Sequence, residues 1–303
     1  MDSRSSVLSR LEWRLRTIFS EDSILCDFLE EPYFWSGQGI RGKLCLHVGE
    51  MYGLGEDTLL DIASLTEFLH NASLLHDDLI DDDTERRGHP TVWKKYGRHK
   101  ALLLGDLMIA KSFYLASQIK IDPVLTSLLS AELSQTVASA IRGAVRELDF
   151  AAKGKDQIFD SYQQMSAEKT GALFALPVRC IAMVAKLSND ELNALTKIFT
   201  NMAVAYQMKD DQADYLGSKL GRLQSSDVLN GRPNLYHLLL SSGQSAEQVF
   251  NTVSASHDKL VCAAIKECDC LSVDLRTMLE ELLLPFIRLR PDVSTHPQIS
   301  VIG

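Results

Sequence analysis

Two aspartate clusters with the same spacing lie far apart in the chain, each directly after a long apolar segment. The first reads L-L-H-D-D-L-I-D-D-D from Leu74, and the second reads Y-Q-M-K-D-D-Q-A-D from Tyr206. At helical spacing, carboxylates four residues apart share one face and repel each other unless a cation lies between them. Oxygen ligands without a neighbouring His or Cys favour a hard cation such as Mg²⁺.

A single acidic run is often only a solvated helix end, and the first cluster by itself is equally compatible with that interpretation. The second copy favours a metal site, because two D-D-x-x-D runs in one chain are rarely a coincidence. Both runs follow apolar helical sequence. We therefore expect two helices to project carboxylates toward each other across one cavity.

The hydrophobic pattern predicts an all-α fold. Apolar residues recur at spacings of three and four along nearly the whole chain, while sustained strand-like alternation is missing. No Pro/Gly/Ser-rich linker divides the chain, so we expect one helical domain over residues 1–303, with an N-terminal helical segment at 1–35 and a flexible tail at 292–303. The predicted helices span residues 4–19, 40–52, 56–79, 99–119, 124–150, 156–167, 170–185, 188–216, 233–242, 246–268 and 272–288.

Composition excludes several classes of partner. The net charge of −9 and the pI near 5.4 argue against nucleic acid. The six cysteines lack the paired spacing of a zinc site. No stretch has the roughly 18 to 20 apolar residues of a membrane span, which predicts a soluble, cytoplasmic protein. The arginine-rich, apolar N-terminus is compatible with an amphipathic surface helix or a transit peptide, but an ordinary first helix is the favoured interpretation.

Basic residues near the clusters predict an anionic ligand. Arg86 and Arg87 follow the first cluster, and planar guanidinium groups suit phosphate oxygens. Lys169 with Thr170, and a glycine-containing loop that holds Arg222 and Arg232, offer further contacts. Each is weak alone, since surface salt bridges and basic loops are common. Together with the carboxylates they indicate a diphosphate held by Mg²⁺, and the surrounding Leu, Ala, Met and Phe imply an apolar tail on the substrate.

The ordered motifs resemble those of the trans-isoprenyl diphosphate synthases of the polyprenyl synthetase family, and of geranylgeranyl and polyprenyl diphosphate synthases in particular. The pattern H-D-D-x-x-D-D-x-x-x-R-R-G-x-P-T begins at His76 and is followed by the second D-D-x-x-D, and the similarity spans Gly37 to Arg290. The resemblance implies the isoprenoid synthase fold, a single bundle of about ten or more helices around a deep central cavity. It also implies a homodimer and a prenyltransferase that condenses isopentenyl diphosphate with an allylic diphosphate.

The resemblance assigns roles to individual residues. It implies about three Mg²⁺ ions, with Mn²⁺ as an alternative, and Lys169, Thr170 and Gln207 in the catalytic set. The metal ligands would be Asp77, Asp78, Asp81, Asp210 and Asp214, with Asp211 in support. The allylic diphosphate would contact Arg86, Lys169, Gln207 and Arg222. The isopentenyl diphosphate would contact Arg41, His70, Arg87 and Gln38.

One departure concerns the isopentenyl diphosphate site, where the family usually reads G-G-K-R-x-R-P. In the ungapped register Gln38 replaces the Lys and Gly39 the first Arg, while Arg41 keeps the second Arg. A register shifted by two would place Arg41 and Lys43 on the two Arg positions instead; the ungapped register is preferred. Each missing cation weakens diphosphate binding by roughly 1.5 to 3 kcal/mol.

Ala72 and Ser73 occupy the positions where bulky side chains stop chain growth in the family, so we expect a product of C20 or longer that brings the protein into peripheral contact with membranes. Leu69, Thr66, Phe113 or Tyr114 are alternative positions for a deeper floor. Two other functions stay open. One is a terpene cyclase or a prenyltransferase to another acceptor, supported by Gln38 and Gly39. The other is a non-catalytic subunit of a heteromeric synthase, disfavoured because both clusters are complete.

Overall fold

The computed structural model describes residues 3–150, 158–218, 226–229, 231–268 and 271–289. Within them, one short hairpin joins β1 (Glu85–Arg86) to β2 (His89–Pro90), and two π-helical segments, π1 (Ala167–Gly171) and π2 (Leu279–Leu283), interrupt α-helices. The α-helices are α1 (Ser3–Ile18), α2 (Ser23–Leu29), α3 (Pro32–Trp35), α4 (Ile40–Met51), α5 (Glu56–Ile80), α6 (Val92–Tyr96), α7 (Arg98–Gln118), α8 (Pro123–Leu148), α9 (Ile158–Ser166), α10 (Ala172–Val184), α11 (Asn189–Tyr215), α12 (Ser226–Leu229), α13 (Leu235–Ser241), α14 (Ala246–Cys268), α15 (Val273–Met278) and α16 (Leu284–Ile287).

The prediction of an all-α protein is confirmed, and the long helices lie close to their predicted positions. Four short helices, α2, α3, α6 and α12, were not predicted, because elements of four to seven residues carry too little periodicity to be recognised. The predicted break between 167 and 170 is instead the segment π1, which joins α9 to α10 without interruption. The predicted tail at 292–303 lies outside the described residues.

The helices α5 and α11 begin with strong stabilising signals and end at the two aspartate clusters. α11 opens with a capping box, in which Ser188 Oγ accepts from the Glu191 N–H and the Glu191 carboxylate accepts from the Ser188 N–H. α5 carries Glu56 and Asp57 in its first turn, where the helix dipole favours negative charge. At their C-terminal ends the same dipole disfavours carboxylates, so the acidic clusters need cations nearby.

The core surrounds α5, α10 and α11. α5 packs against α4, α7 and α10, while α11 packs against α10 and α14. Leu65 and Phe68 of α5, Leu176 of α10 and Phe199 of α11 are fully buried in this core. Because α5 and α11 both pack against α10, their C-terminal ends are brought to the same side of the bundle.

α8 differs from the other long helices in how little of it is buried. By length and apolar composition alone it could cross a membrane, although the sequence analysis expected no such segment, and only 22% of its most apolar stretch is buried. Ile141, Val145 and Leu148 are 56%, 51% and 63% exposed. Leu102 and Leu103 of α7, which packs against α8, are 49% and 65% exposed. These exposed residues of the two helices are together called the apolar surface of α7 and α8.

Candidate active site

A cavity of about 510 Å³ lies between α4, α5, α8, π1 and α11. Its walls differ in chemistry. Carboxylates of both clusters line it together with Lys169 and Arg232, and Arg41 of α4 and Arg87 of the hairpin line it as well. Apolar side chains also contribute to the lining, among them Ile80, Ile109, Val137, Ala140, Ile141 and Leu148. The expected convergence of both clusters on one cavity is therefore present.

The aspartates of the first cluster have different environments. Asp77 and Asp81 line the cavity. Asp78 is 1% exposed, and its carboxylate accepts hydrogen bonds from Arg86 Nε at 2.6 Å and from Tyr33 Oη at 2.6 Å. Burial raises the pKa of Asp78, and the adjacent Arg86 opposes that shift. The geometry thus gives Asp78 an anchoring role, which the sequence did not distinguish from a ligand role.

The hairpin directs the two arginines into different parts of the site. Its two-residue loop is Arg87-Gly88, with φ of 56° and 81°, as expected for a type I′ turn. Arg86 turns toward Asp78, while Arg87 lines the cavity near Gly37. There its guanidinium lies so close to Gly37 that a Cβ at that position would be 2.6 Å from Arg87 Nη1. A side chain at position 37 would therefore displace Arg87.

The second cluster is joined by an aspartate of α12. Asp210, Asp211 and Asp227 each bring a carboxylate oxygen within 4.8 Å of the others. The oxygens of Asp211 also accept from Tyr162 Oη and the Leu235 N–H, both at 2.8 Å. Sequence analysis missed Asp227 as a candidate ligand, because only the tertiary fold brings α12 to α11.

Asp214 is fully buried and does not line the cavity. Its carboxylate accepts from the Asp227 N–H at 3.3 Å and from Asn234 Nδ2 at 3.3 Å. These contacts hold α12 and Asn234 against α11. Asp214, like Asp78, therefore has an anchoring position, although the sequence placed it among the metal ligands.

Arg232 bridges the two clusters. Its guanidinium nitrogens lie 3.1 Å from Asp81 Oδ2, 3.2 Å from Asp83 Oδ1 and 3.4 Å from Asp227 Oδ1. Burial raises the pKa of Asp81 to about 7, and Arg232 and Lys169 oppose this shift. A cationic side chain thus occupies a place where several carboxylates converge, which is the electrostatic environment that a divalent cation needs.

Lys169 and Thr170 project from π1. Lys169 pairs with Glu147 of α8 and lies 3.4 Å from Asp77 Oδ1. Burial lowers the pKa of Lys169, but Asp77 and Glu147 raise it by more, so the side chain is protonated at neutral pH. Thr170 Oγ1 donates to Gln207 Oε1 at 3.3 Å. All three predicted catalytic residues line the cavity.

Arg41, His70, Arg87 and Gln38 all line the cavity. Among the described residues, neither Arg41 nor Arg87 has a carboxylate within ion-pair distance, although Glu67 acts electrostatically on both. Burial lowers the pKa of Arg41 to about 10 and also lowers the pKa of Arg87, so both cations would gain from an anionic ligand. Lys43 does not line the cavity, which favours the ungapped register.

The two predicted floor residues have different positions. Ser73 lines the cavity, whereas Ala72 is fully buried in the core and does not. Phe113 packs against the core, Tyr114 is 45% exposed, and neither lines the cavity. Of the residues predicted to bind the allylic diphosphate, Arg222 lies outside the described residues.

A model of the family described as polyprenyl synthetase matches residues 23–267. The chain belongs to the polyprenyl synthetase family. Its members are prenyltransferases, so the predicted enzyme class is confirmed. The chain is 30% identical over 232 residues to the short chain isoprenyl diphosphate synthase of Methanocaldococcus jannaschii, covering 76% of this chain and 70% of that protein. It is 30% identical to the farnesyl diphosphate synthase of Escherichia coli, covering 78% and 82%.

Solved structures confirm the fold of this polyprenyl synthetase family member. A geranylgeranyl pyrophosphate synthetase from Pyrococcus horikoshii is similar with a TM-score of 0.77 and 21% identity, covering 91% of this chain and 95% of that one. Relatives in the family also include an octaprenyl diphosphate synthase of Escherichia coli, 28% identical over 67% of this chain and 62% of that protein. The names therefore range from farnesyl to octaprenyl, and they do not determine product length.

Proposed function

We propose that this enzyme condenses isopentenyl diphosphate with an allylic diphosphate to give a trans-prenyl diphosphate. One observation carries the proposal. The cavity is lined by the converging carboxylates of both clusters and also by the buried Arg41 and by Arg87, neither of which has a carboxylate within ion-pair distance among the described residues. Two anionic head groups in one cavity, one held through cations and one held directly by arginine, match that distribution of charge.

Asp77, Asp81, Asp210, Asp211 and Asp227 would hold Mg²⁺ or Mn²⁺, since their oxygens converge and a hard cation prefers such donors. Bound metal would neutralise charge on the departing diphosphate. Arg86, Lys169 and Gln207 would contact that group, while Asp78 and Asp214 would anchor Arg86 and α12. Arg222 lies outside the described residues, and its contact with the allylic diphosphate remains a prediction.

The bond breaking and bond formation of the condensation depend on the residues that line the cavity. The allylic carbon–oxygen bond breaks in a largely apolar cavity, and the double bond of isopentenyl diphosphate attacks the resulting allylic cation. Arg41 and Arg87 would orient the isopentenyl diphosphate, with neutral His70 and Gln38 beside them. Loss of a proton then completes the condensation. The departing diphosphate, Thr170 or Gln207 would accept that proton.

We further propose a homodimer in which a second copy covers the apolar surface of α7 and α8. Ile141, Val145 and Leu148 line the cavity and are also exposed on the surface of α8. A partner that covered them would close this apolar part of the cavity wall. The small Ser73 supports a product of C20 or longer, whose tail would bring the protein to membranes. The cytoplasmic location stays a prediction.

A second candidate function is the transfer of the prenyl group to a different acceptor, or its cyclisation. Gln38 is exposed, and Gly39 packs under α1 so tightly that a Cβ there would be 2.7 Å from Leu8 Cδ2. Leu8 thus occupies space that a basic side chain at position 39 would need. The acceptor end is less cationic than the family pattern implies, which favours an acceptor with less negative charge.

A product assay separates these functions. Purified protein is incubated with Mg²⁺, isopentenyl diphosphate and, in separate reactions, C5, C10, C15 or C20 allylic diphosphates, and dephosphorylated products are separated by chromatography. Elongated alcohols support the synthase, and D77N and D210N should abolish them. Consumption of the allylic substrate without elongation favours the second candidate. Absence of any consumption would overturn both and direct attention to a non-catalytic subunit.

A further inference from the structure

Glu147 is a cavity residue that belongs to neither aspartate cluster. It lies in the last turn of α8, its side chain is 16% exposed, and it pairs with Lys169. Lys169 is therefore held between a carboxylate of α8 and Asp77 of α5. Glu147 also acts electrostatically on Asp81 and Arg232, so its charge reaches the centre of the site.

The backbone position of Lys169 does not depend on this ion pair. Gly143, one turn earlier on α8, packs directly on π1, and a Cβ there would lie 2.3 Å from the Lys169 nitrogen. Steric contact therefore fixes where π1 lies, while Glu147 determines only what the ammonium group contacts. Glu147 also adds negative charge to a site that, under the proposed function, receives an anion.

We propose that Glu147 is a positioning residue that acts through Lys169. When diphosphate binds, a phosphate oxygen replaces the Glu147 carboxylate as the partner of the Lys169 ammonium group. When inorganic pyrophosphate leaves, Glu147 pairs with Lys169 again. This inference rests on the proposed function, because it assumes that diphosphate binds beside the aspartate clusters. Replacing one ammonium–carboxylate contact by an ammonium–phosphate contact makes entry and exit an exchange of partners. Without Glu147, Lys169 would hold pyrophosphate more tightly and release it more slowly.

The test compares E147Q with the matched control E168Q. Glu168 is adjacent to Lys169 in sequence, but it pairs with Arg146 at 2.7 Å and does not line the cavity. Calorimetry with full-length protein, Mg²⁺ and inorganic pyrophosphate should give about a tenfold lower Kd for E147Q than for the wild type, the scale of one charged contact. In steady state, E147Q should lower the KM for the allylic diphosphate and also lower kcat through slow release. E168Q should resemble the wild type in both.

If the wild type binds pyrophosphate and turns over its substrates, but E147Q binds pyrophosphate equally well or more weakly, this inference is overturned. The proposed function would stay intact. A higher Mg²⁺ requirement in E147Q would also overturn it and assign Glu147 to the metal ligands instead. Failure of the wild type itself to bind pyrophosphate with Mg²⁺ would overturn the proposed function. If E147Q is unstable by circular dichroism, E147A gives the same comparison.

Discussion

Asp77 and Asp78 are adjacent in the chain but point in different directions from α5. Successive helix positions are about 100° apart, so one side chain faces the cavity while the other faces the contact with α3 and the hairpin. Asp77 contacts Lys169 in the cavity. Asp78 is buried between Tyr33 and Arg86. Neighbouring carboxylates of one motif can therefore have unrelated roles.

The substitutions D77N and D78N should separate these roles. We expect D78N to lower the free energy of unfolding by about 3 kcal/mol, because it leaves Arg86 with only the longer contact to Asp83 Oδ2 at 3.6 Å. D77N should retain stability but lower turnover by roughly 100-fold or more. Urea denaturation and Mg²⁺ activation curves measure both effects. If D78N is as stable as the wild type and shifts the Mg²⁺ curve as D77N does, Asp78 is a ligand.

His70 should make the free energy of unfolding depend on pH. Burial, together with Arg41 and Arg87, lowers its pKa well below 6.5, so the folded protein keeps it neutral. The unfolded chain takes up a proton as pH falls through about 6.5, which removes stability by roughly 1 kcal/mol per pH unit. Urea denaturation at pH 7.5 and 5.5 should show a smaller loss for H70Q than for the wild type. Equal losses would show that His70 is protonated in the folded state.

At the scale of elements, π1 determines where its own residues Lys169 and Thr170 point. A π-turn contains an extra residue, which changes the face on which Lys169 and Thr170 project. π1 can lie against α8 because position 143 is glycine. Two elements that approach this closely tolerate no side chain between them.

G143A should therefore disturb the site from a distance. The added Cβ would require π1 to move, and we expect a loss of about 2 kcal/mol in the free energy of unfolding and a clear fall in kcat/KM. G55A is the matched control, since Gly55 has φ of −68° and nothing within 4 Å of an added Cβ. Thermal denaturation and turnover measure both variants. Wild-type behaviour of G143A would mean that the contact relaxes without moving Lys169.

For the whole molecule, the cavity is formed by helices that are distant in sequence, and its dimensions depend on how they pack. Ser73 lies at its wall one turn before Asp77, while Ala72 faces the core. The apolar surface of α7 and α8 lies next to the same cavity. In the proposed homodimer, product length and assembly would thus be connected through α8.

S73F should shorten the main product, because an aromatic ring would fill the cavity below the carboxylates. A72F should leave product length unchanged and lower the free energy of unfolding by about 2 kcal/mol through overpacking of the core. Chromatography of the products and urea denaturation distinguish the two. Long products from S73F would place the floor elsewhere on α7 or α8.

L103E should yield a monomer. It introduces a charge into the apolar surface of α7, where Leu103 is 65% exposed. V273E is the control, because Val273 is 80% exposed on α15, outside that surface. Light scattering after size-exclusion chromatography measures the mass. A wild type that is already monomeric, or a dimeric L103E, would contradict the proposed interface.

The sequence by itself determined the all-α class, the approximate bounds of the long helices and the residues that gather at the cavity, because periodicity and motif spacing are local properties. Only the tertiary structure decided which carboxylates face the cavity. It buried Asp78 and Asp214 away from the cavity, and it brought Asp227 and Glu147 to the site. Their positions depend on how the helices pack against one another, and no pattern within a single helix records the distance between elements.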